Sequence, residues 1–178
     1  MNRIRGMGAL LCACAMLVGG AAIAQEAGVS AQVKLLDQLA GSWLMKGTID
    51  GKAVMHDVSA EWILNREYLQ IHELSREKND KGGPFYEAMI LVEWDAKRKQ
   101  YACLWLDTTS GGGLSGEGLG RAMEAGDSIP IVITIGGREA IHTTFAYERA
   151  ADAWHWTIDD VSKGKPERFA DLRLTRKR

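Results

Sequence analysis

The sequence LDQLAGSWLMKG, residues 36–47, joins the end of a helical pattern to the start of a strand. Apolar residues spaced three and four apart predict a short helix from about Ser30 to Ala40, which Gly41 ends. Beyond that glycine, apolar and polar residues alternate, and Trp43 shares a face with Met45. Because that face is the apolar one, we expect the indole of Trp43 to point into the fold.

The rest of the chain reads as strands of about seven to eleven residues separated by turn residues. No second helix is long enough for a crossover, so consecutive strands are expected to pair in antiparallel fashion. About ten strands in such a meander remove their exposed edges by closing on themselves. We therefore predict an all-β fold: one closed antiparallel meander barrel of about ten strands, preceded by a short N-terminal helix and occupying residues 25–178.

The first 24 residues have the layout of a secretory signal peptide. Arg3 and Arg5 precede an apolar run over residues 6–18, and Ala22-Ile23-Ala24 is a small-x-small cleavage site. The apolar run is too short and too rich in glycine for a good membrane span. We expect residues 1–24 to be removed, giving a periplasmic or secreted protein with no stable membrane anchor. An alternative is a lipoprotein acylated at Cys14.

The charge and cysteine content of the chain limit its classes of binding partner and its covalent cross-links. The leader contains two arginines and no acid, so the balance of 22 basic against 23 acidic residues becomes 20 against 23. No basic stripe is present apart from Arg176-Lys177-Arg178, which argues against nucleic acid as a partner. Cys103 is the one cysteine after residue 24, so no internal disulfide is expected. Cys103 shares a strand face with Trp105 and is expected to be a small buried residue.

Alternation predicts the inner face of three strands but leaves two strands open. The predicted inward residues of the first, second and last strands include Trp43, His56, Trp62 and Leu172. In the two middle strands both faces carry apolar and polar residues. Glu87 and Tyr86 lie on opposite faces of one strand, and Trp105 and Asp107 share a face of the next. The carboxylates of Glu87 and Asp107 therefore face either a polar cavity or solvent.

A helical turn followed by Gly41-x-Trp43 at the start of a meander barrel resembles the opening motif of the lipocalins and the wider calycin superfamily. The resemblance implies that Trp43 plugs one end of the barrel and that Arg176, from the last strand, packs over it. The chain also resembles DUF1579, a bacterial lipocalin-like family of unknown function, which implies no established reaction. The stretches that carry this second resemblance are Leu39-x-Gly41-x-Trp43, Tyr86-Glu87, Trp94-Asp95, Tyr101-x-x-x-Trp105-x-Asp107 and Leu174-Thr175-Arg176-Lys177.

Candidate ligand-binding residues are the inward polar and aromatic ones: Trp105, Asp107, His56, Trp62 and Glu87. A carboxylate just inside a barrel can orient a polar ligand group, and an indole beside it can cover the apolar part. Asp107 alternatively begins a turn by accepting backbone hydrogen bonds. No two histidines have the spacing of a metal site, so no metal is predicted. If His155 faced inward it could ligate haem, as the distant resemblance to nitrobindin-like barrels implies; otherwise no cofactor is expected.

Glycine dominates residues 110–120, which lack the strand-to-helix context of a phosphate loop and are expected to form a lip over the barrel mouth. The leading hypothesis is an exported barrel that binds a small, mostly apolar molecule without transforming it. One alternative is an isomerase or hydratase that uses Asp107 or Glu87 as a general base. The other is a structural envelope protein whose barrel is filled by its own side chains. Neither the ligand nor the oligomeric state follows from the sequence.

Overall fold

The computed structural model describes residues 32–109 and 118–178, and strands make up most of them. Residues 32–39 form a helix, α1, that ends just before Gly41. A 3-10 turn, Arg149–Ala151, lies between the eighth and ninth of the strands that follow. The ten strands are β1 (Gly41–Ile49), β2 (Lys52–Ile63), β3 (Tyr68–Ser75), β4 (Glu87–Asp95), β5 (Gln100–Asp107), β6 (Leu119–Met123), β7 (Ser128–Ile135), β8 (Arg138–Glu148), β9 (Ala153–Asp160) and β10 (Glu167–Arg176).

Each strand pairs in antiparallel fashion with the next, and β1 also pairs with β10, which closes the barrel. The prediction of an all-β closed meander barrel is therefore confirmed. In the closing pair Trp43 lies opposite Arg176, and Met45 lies opposite Leu174. The turn between β1 and β2 is the Asp50-Gly51 pair, whose positive φ values of 48° and 70° suit a two-residue hairpin.

The connections divide between two ends of the barrel. We call one the helix end, because α1 packs there together with the connections at residues 64–67, 96–99, 124–127 and 149–152. The other is the loop end, at which the turns at 50–51 and 136–137 and the longer connections at 76–86 and 161–166 lie, and where β5 ends and β6 begins. The predicted glycine-rich lip, residues 110–120, joins β5 to β6 on the loop-end side, but residues 110–117 lie outside the described ranges.

Burial varies along the barrel. The inward side chains in the middle of the barrel and around α1 are almost fully buried, as Leu36, Trp43, Ile90 and Trp154 are. Nearer both ends some inward side chains remain partly exposed while packing against the same core: Trp62, Trp94 and Tyr147 at the helix end, and Ile49, Val54, Trp105, Ile141 and Ile158 at the loop end. The helix α1 covers the core at the helix end through Leu35, Leu36 and Leu39.

The helix end is held by a network around Trp43. The indole Nε1 donates to the Leu39 carbonyl at 2.8 Å, and the Arg176 guanidinium lies over the ring, 4.1 Å from its centroid. This is the packing that the lipocalin resemblance implied. A Cβ on Gly41 would come within 2.6 Å of Arg176 Nη1, and Gly41 has a φ of +130°, so only glycine fits this position without strain.

Arg176 uses its whole guanidinium in this network. It donates to the carbonyls of Gln38 and Ala40, each at 3.1 Å, and to both carboxylate oxygens of Asp152 at 2.7 and 3.0 Å. These hydrogen bonds lower the pKa of Asp152. Arg176 thus joins the last strand to the end of α1 and to the turn before β9.

The expected signal peptide, residues 1–24, and the alternative acylation site, Cys14, lie outside the described residues. Within the described ranges no helix is long and apolar enough to cross a membrane.

Candidate functional site

A buried histidine and a buried glutamate form the centre of a polar cluster at the loop end. His56, on β2, and Glu73, on β3, are 4% and 2% exposed, and Nδ1 of His56 lies 2.5 Å from Oε1 of Glu73. Burial raises the pKa of Glu73, while the hydrogen bond and charge of His56 oppose that rise. Because the contact uses Nδ1 and no other hydrogen bond of this ring occurs among the described residues, Nε2 is left for another partner.

Tyr86 connects this pair to Asp107. Its ring stacks on the His56 imidazole with the centroids 5.9 Å apart. Burial raises the pKa of Tyr86, and the charges of Glu73 and Asp107 and a hydrogen bond with Asp107 raise it further. The phenol therefore stays protonated and can donate. Asp107 also accepts from the backbone N–H and the hydroxyl of Thr109, at 2.7 and 2.8 Å. Asp107 thus begins the turn after β5 and also belongs to the cluster.

Trp105 supplies the one indole of the cluster, and its N–H is orphaned. Its Nε1 is buried and has no hydrogen-bond partner within residues 32–109 and 118–178. The N–H lies near enough to the Tyr86 hydroxyl to offset part of the rise in the phenol pKa, but not in hydrogen-bond geometry. Leaving such a donor unpaired costs about 1–3 kcal/mol, so orphaned donors in native structures are rare.

The neighbouring indole, that of Trp156, has a hydrogen-bond acceptor for its N–H, unlike that of Trp105. Trp156, on β9, contacts Trp105 with the ring centroids 5.5 Å apart, and it stacks on Phe145 at 4.5 Å. Its Nε1 donates to the hydroxyl of Thr143 at 2.8 Å, and Thr143 is fully buried. The barrel therefore satisfies one of two touching indoles and leaves the other with a free donor.

Three of the five predicted ligand-binding residues, His56, Trp105 and Asp107, meet in this cluster. Trp62 does not, because it lies at the helix end, where its Nε1 donates to Asp37 at 2.8 Å and the guanidinium of Arg66 lies 4.8 Å from its ring centroid. Its partners are those of a residue that anchors α1, so its placement among the ligand-binding residues is corrected.

Glu87 is also removed from the site. The inward residues of β4 are Ala88, Ile90 and Val92, so the opposite parity puts Glu87 on the outer wall, where it lies 2.7 Å from Nε2 of His72. Of the two residues considered as a general base, Glu87 therefore does not face the interior of the barrel.

Two further side chains bear on the predicted chemistry. His155 faces outward and pairs with Asp171 at 2.9 Å, so it does not reach the interior, where haem ligation would require it. Cys103 is buried as predicted, and burial raises the pKa of its thiol to about 12, which leaves it unreactive at neutral pH.

Sequence reasoning missed Glu73, Tyr86 and Thr143. The alternation of β3 contained the signal for Glu73, since Leu69 and Ile71 are buried on the same face. Tyr86 lies one residue before β4 on the face of Ala88, but that strand carries apolar residues on both sides.

Two grooves on the outer surface lie away from the cluster. One, of about 360 Å³, is lined by α1 and the turn before β7, and the other, of about 450 Å³, lies beside Asp57 and Arg76. Neither is lined by His56, Glu73 or Trp105. Within the described residues, no group of three or more histidine, cysteine or acidic side chains is placed to hold a metal ion.

Comparison of the chain with protein-family models and with curated proteins gives no match. The described part of the barrel concentrates its buried polar groups in one cluster, which we call the loop-end cluster: His56, Glu73, Tyr86, Trp105 and Asp107.

Proposed function

We propose that this protein is an exported, lipocalin-like barrel that binds a small, mostly apolar molecule in its lumen. The observation that carries the proposal is the orphaned Trp105 Nε1–H, a buried donor near Tyr86, whose ring stacks on His56 and whose hydroxyl interacts with Asp107. A bound molecule with a polar end would give this donor an acceptor, and its apolar part would contact the partly exposed inward side chains at the loop end. Export rests on the leader-like residues 1–24, and membership of DUF1579 rests on the motif resemblance.

The first test is native mass spectrometry of the protein purified from the compartment to which it is exported, followed by organic extraction. We expect a stoichiometric small molecule. If the protein is recovered without a bound small molecule, titration with the neutral fluorophore N-phenyl-1-naphthylamine tests whether the lumen binds apolar molecules. A lumen that binds neither a native molecule nor this probe contradicts the proposal.

Two matched variants locate the bound molecule. Trp105→Phe removes the orphaned N–H and keeps an aromatic ring, whereas Trp156→Phe removes an N–H that Thr143 already satisfies. Trp105→Phe should lower the retained ligand or the probe affinity about tenfold, since one buried hydrogen bond is lost. Trp156→Phe should change binding less and stability more. Equal effects of the two variants on binding would show that Trp105 is only a core residue.

A second candidate is a barrel enzyme, and the His56–Glu73 pair favours it. A buried carboxylate that holds one imidazole nitrogen leaves the other to act as a general base. Once an extracted ligand is known, prolonged incubation with the protein should convert it, and His56→Asn should abolish the conversion. Recovery of the unchanged ligand from the wild-type protein contradicts this candidate and leaves the binding function intact.

A further inference from the structure

The outer wall of the barrel carries an apolar surface on β4, β5 and β6. On these strands Ile90, Val92 and Cys103 are buried and point inward, so the residues of the opposite parity point outward. A strand that water covers on its outer side normally carries polar residues there. The outward residues on these three strands instead include an apolar set, which we call the β5 face: Met89, Leu91, Ala102, Leu104, Leu106 and Leu119.

The pairing register makes the β5 face one continuous patch. Leu104, on the middle strand, lies opposite Leu91 on one side and Leu119 on the other. Met89 lies opposite Leu106. Side chains directly opposite each other on one face of a sheet are in contact distance. Met89 and Leu119 are 37% and 43% exposed, and a continuous apolar patch on an outer surface indicates a binding partner.

The two flanks of the β5 face carry opposite charges. Ala102 lies between Glu93, opposite it on β4, and Arg121, opposite it on β6. Arg98 also lies near Glu93, but its guanidinium is bound to Asp95 at 2.7 Å. A surface with an acid on one flank and a base on the other is complementary to a second copy of itself.

We propose that two copies of this chain associate through the β5 face, related by a two-fold axis parallel to β5. Such an axis places the β4 flank of each copy over the β6 flank of the other. Glu93 then meets Arg121 of the partner subunit. Leu91 meets Leu119 of the partner subunit, and Leu104, on the axis, meets its own equivalent.

The charges select this axis over the other simple choice. A two-fold axis perpendicular to β5 would place each flank over the same flank of the partner subunit, with acid near acid and base near base. The parallel axis also leaves the strands of the two packed sheets nearly aligned, which is a common packing of sheet on sheet. This inference goes beyond the proposed function and does not depend on it, because the β5 face is on the outside of the barrel.

Sedimentation velocity of the purified protein over a wide range of concentration is the first test. We expect a reversible equilibrium in which the dimer dominates at high concentration. A protein that stays monomeric up to its solubility limit overturns the inference, whether or not it binds a small molecule in its lumen.

Two matched variants locate the interface. Leu104→Lys places a charge on the axis of the dimer, whereas Leu44→Lys makes the same change at an outward, partly exposed position of β1. Leu104→Lys should weaken the dimer at least about tenfold, because each dimer contains the change twice. Leu44→Lys should leave the dimer unchanged. Urea denaturation confirms that both variants fold, and equal weakening in the two variants overturns the assignment to the β5 face.

A charge swap tests the orientation of the two copies. Glu93→Arg and Arg121→Glu should each weaken the dimer several-fold, because each puts like charges together across the interface. The double variant should restore most of the lost affinity, since every acid again meets a base. A double variant that is no tighter than the single ones overturns the parallel axis. Both positions are on the outer wall, so these variants should fold even if Leu104→Lys does not.

A lipid surface is the other occupant that an apolar outer face can contact. Co-sedimentation with phosphatidylglycerol vesicles tests it. If the protein is monomeric and binds these vesicles, and Leu104→Lys abolishes that binding while Leu44→Lys does not, the β5 face contacts lipid and the inference of a dimer is overturned.

Discussion

Each end of this barrel contains a tryptophan packed against the core, and the N–H groups of the two indoles are treated in opposite ways. At the helix end, Trp43 is fully buried, its N–H has an acceptor, and its ring is covered by a guanidinium that itself has four hydrogen bonds. At the loop end, Trp105 is partly exposed and its N–H is unpaired, near Tyr86, whose ring stacks on the buried His56.

The difference indicates that the two ends have separate roles. Polar groups that serve stability are normally satisfied within the chain, and a group left unsatisfied costs free energy unless something else meets it. The Trp43 network therefore supports the fold, whereas the Trp105 N–H lacks an acceptor within the described residues; Gln32 Oε1, on α1, is the other buried side-chain atom there without a partner.

The largest expected effect comes from removing the helix-end indole. Trp43→Ala should lower the free energy of unfolding by about 3–5 kcal/mol, because it empties a fully buried site and exposes the packing of α1. Trp105→Ala, at the partly exposed end, should cost clearly less. Urea denaturation of both variants checks the comparison, and equal losses would show that the two ends contribute alike.

The second-largest loss of stability is expected when the hydrogen bonds of the Arg176 guanidinium are removed. Arg176→Lys keeps the charge but cannot reproduce the hydrogen bonds to Asp152, Gln38 and Ala40, so we expect a loss of about 1.5–3 kcal/mol. Arg173→Lys is the matched control on the same strand, since Arg173 makes an exposed ion pair with Glu148. It should lose less than about 1 kcal/mol. Thermal unfolding of the two variants distinguishes a network from surface charge.

The satisfied indole N–H provides the third test. Thr143→Val removes the acceptor of Trp156 at nearly constant volume and leaves a second buried N–H unpaired. The expected loss is about 1–3 kcal/mol. Trp105→Phe loses packing because the ring is smaller, but it also removes an N–H that is already unpaired. Removing that unpaired donor should offset part of the loss in stability. If Thr143→Val is neutral, an orphaned donor has no cost in this interior and Trp105 is not distinctive.

The smallest effect concerns pH. The folded-state pKa of Glu73 lies above its ordinary value of 4.5, so the folded state holds this proton more tightly than the unfolded chain. The stability contributed by Glu73 is therefore fully present below pH 4.5 and is lost as the pH rises through the folded-state pKa.

Glu73→Gln lacks this titration and serves as the reference. As the pH increases above 4.5, the wild-type protein should lose stability relative to the variant. Urea denaturation of both proteins at several pH values measures this difference. A difference that stays constant with pH would contradict a raised pKa.

The sequence predicted the barrel and its helix, because strong alternation and turn residues are local signals, and the lipocalin resemblance implied the packing of Arg176 over Trp43. It predicted the loop-end cluster only in part. On β4 the outer face carries Met89 and Leu91 and the inner face carries Ile90 and Val92, so hydrophobicity alone does not choose between them. The register of that strand against β3 and β5 decides where Glu87 lies, and register depends on partners distant in the chain.

The closure of the barrel by β1 and β10 also has a consequence for how the chain folds. The hydrogen bond from Arg176 to Ala40 spans 136 residues, and the pairing of Trp43 with Arg176 is nearly as distant. Folding that depends on such long loop closures is slow compared with that of helical domains of similar size. Until β10 arrives, β1 presents an unpaired edge that can pair with another chain. Aggregation during refolding should therefore increase most in variants that weaken the β1–β10 contact, even when their equilibrium stability is only modestly reduced.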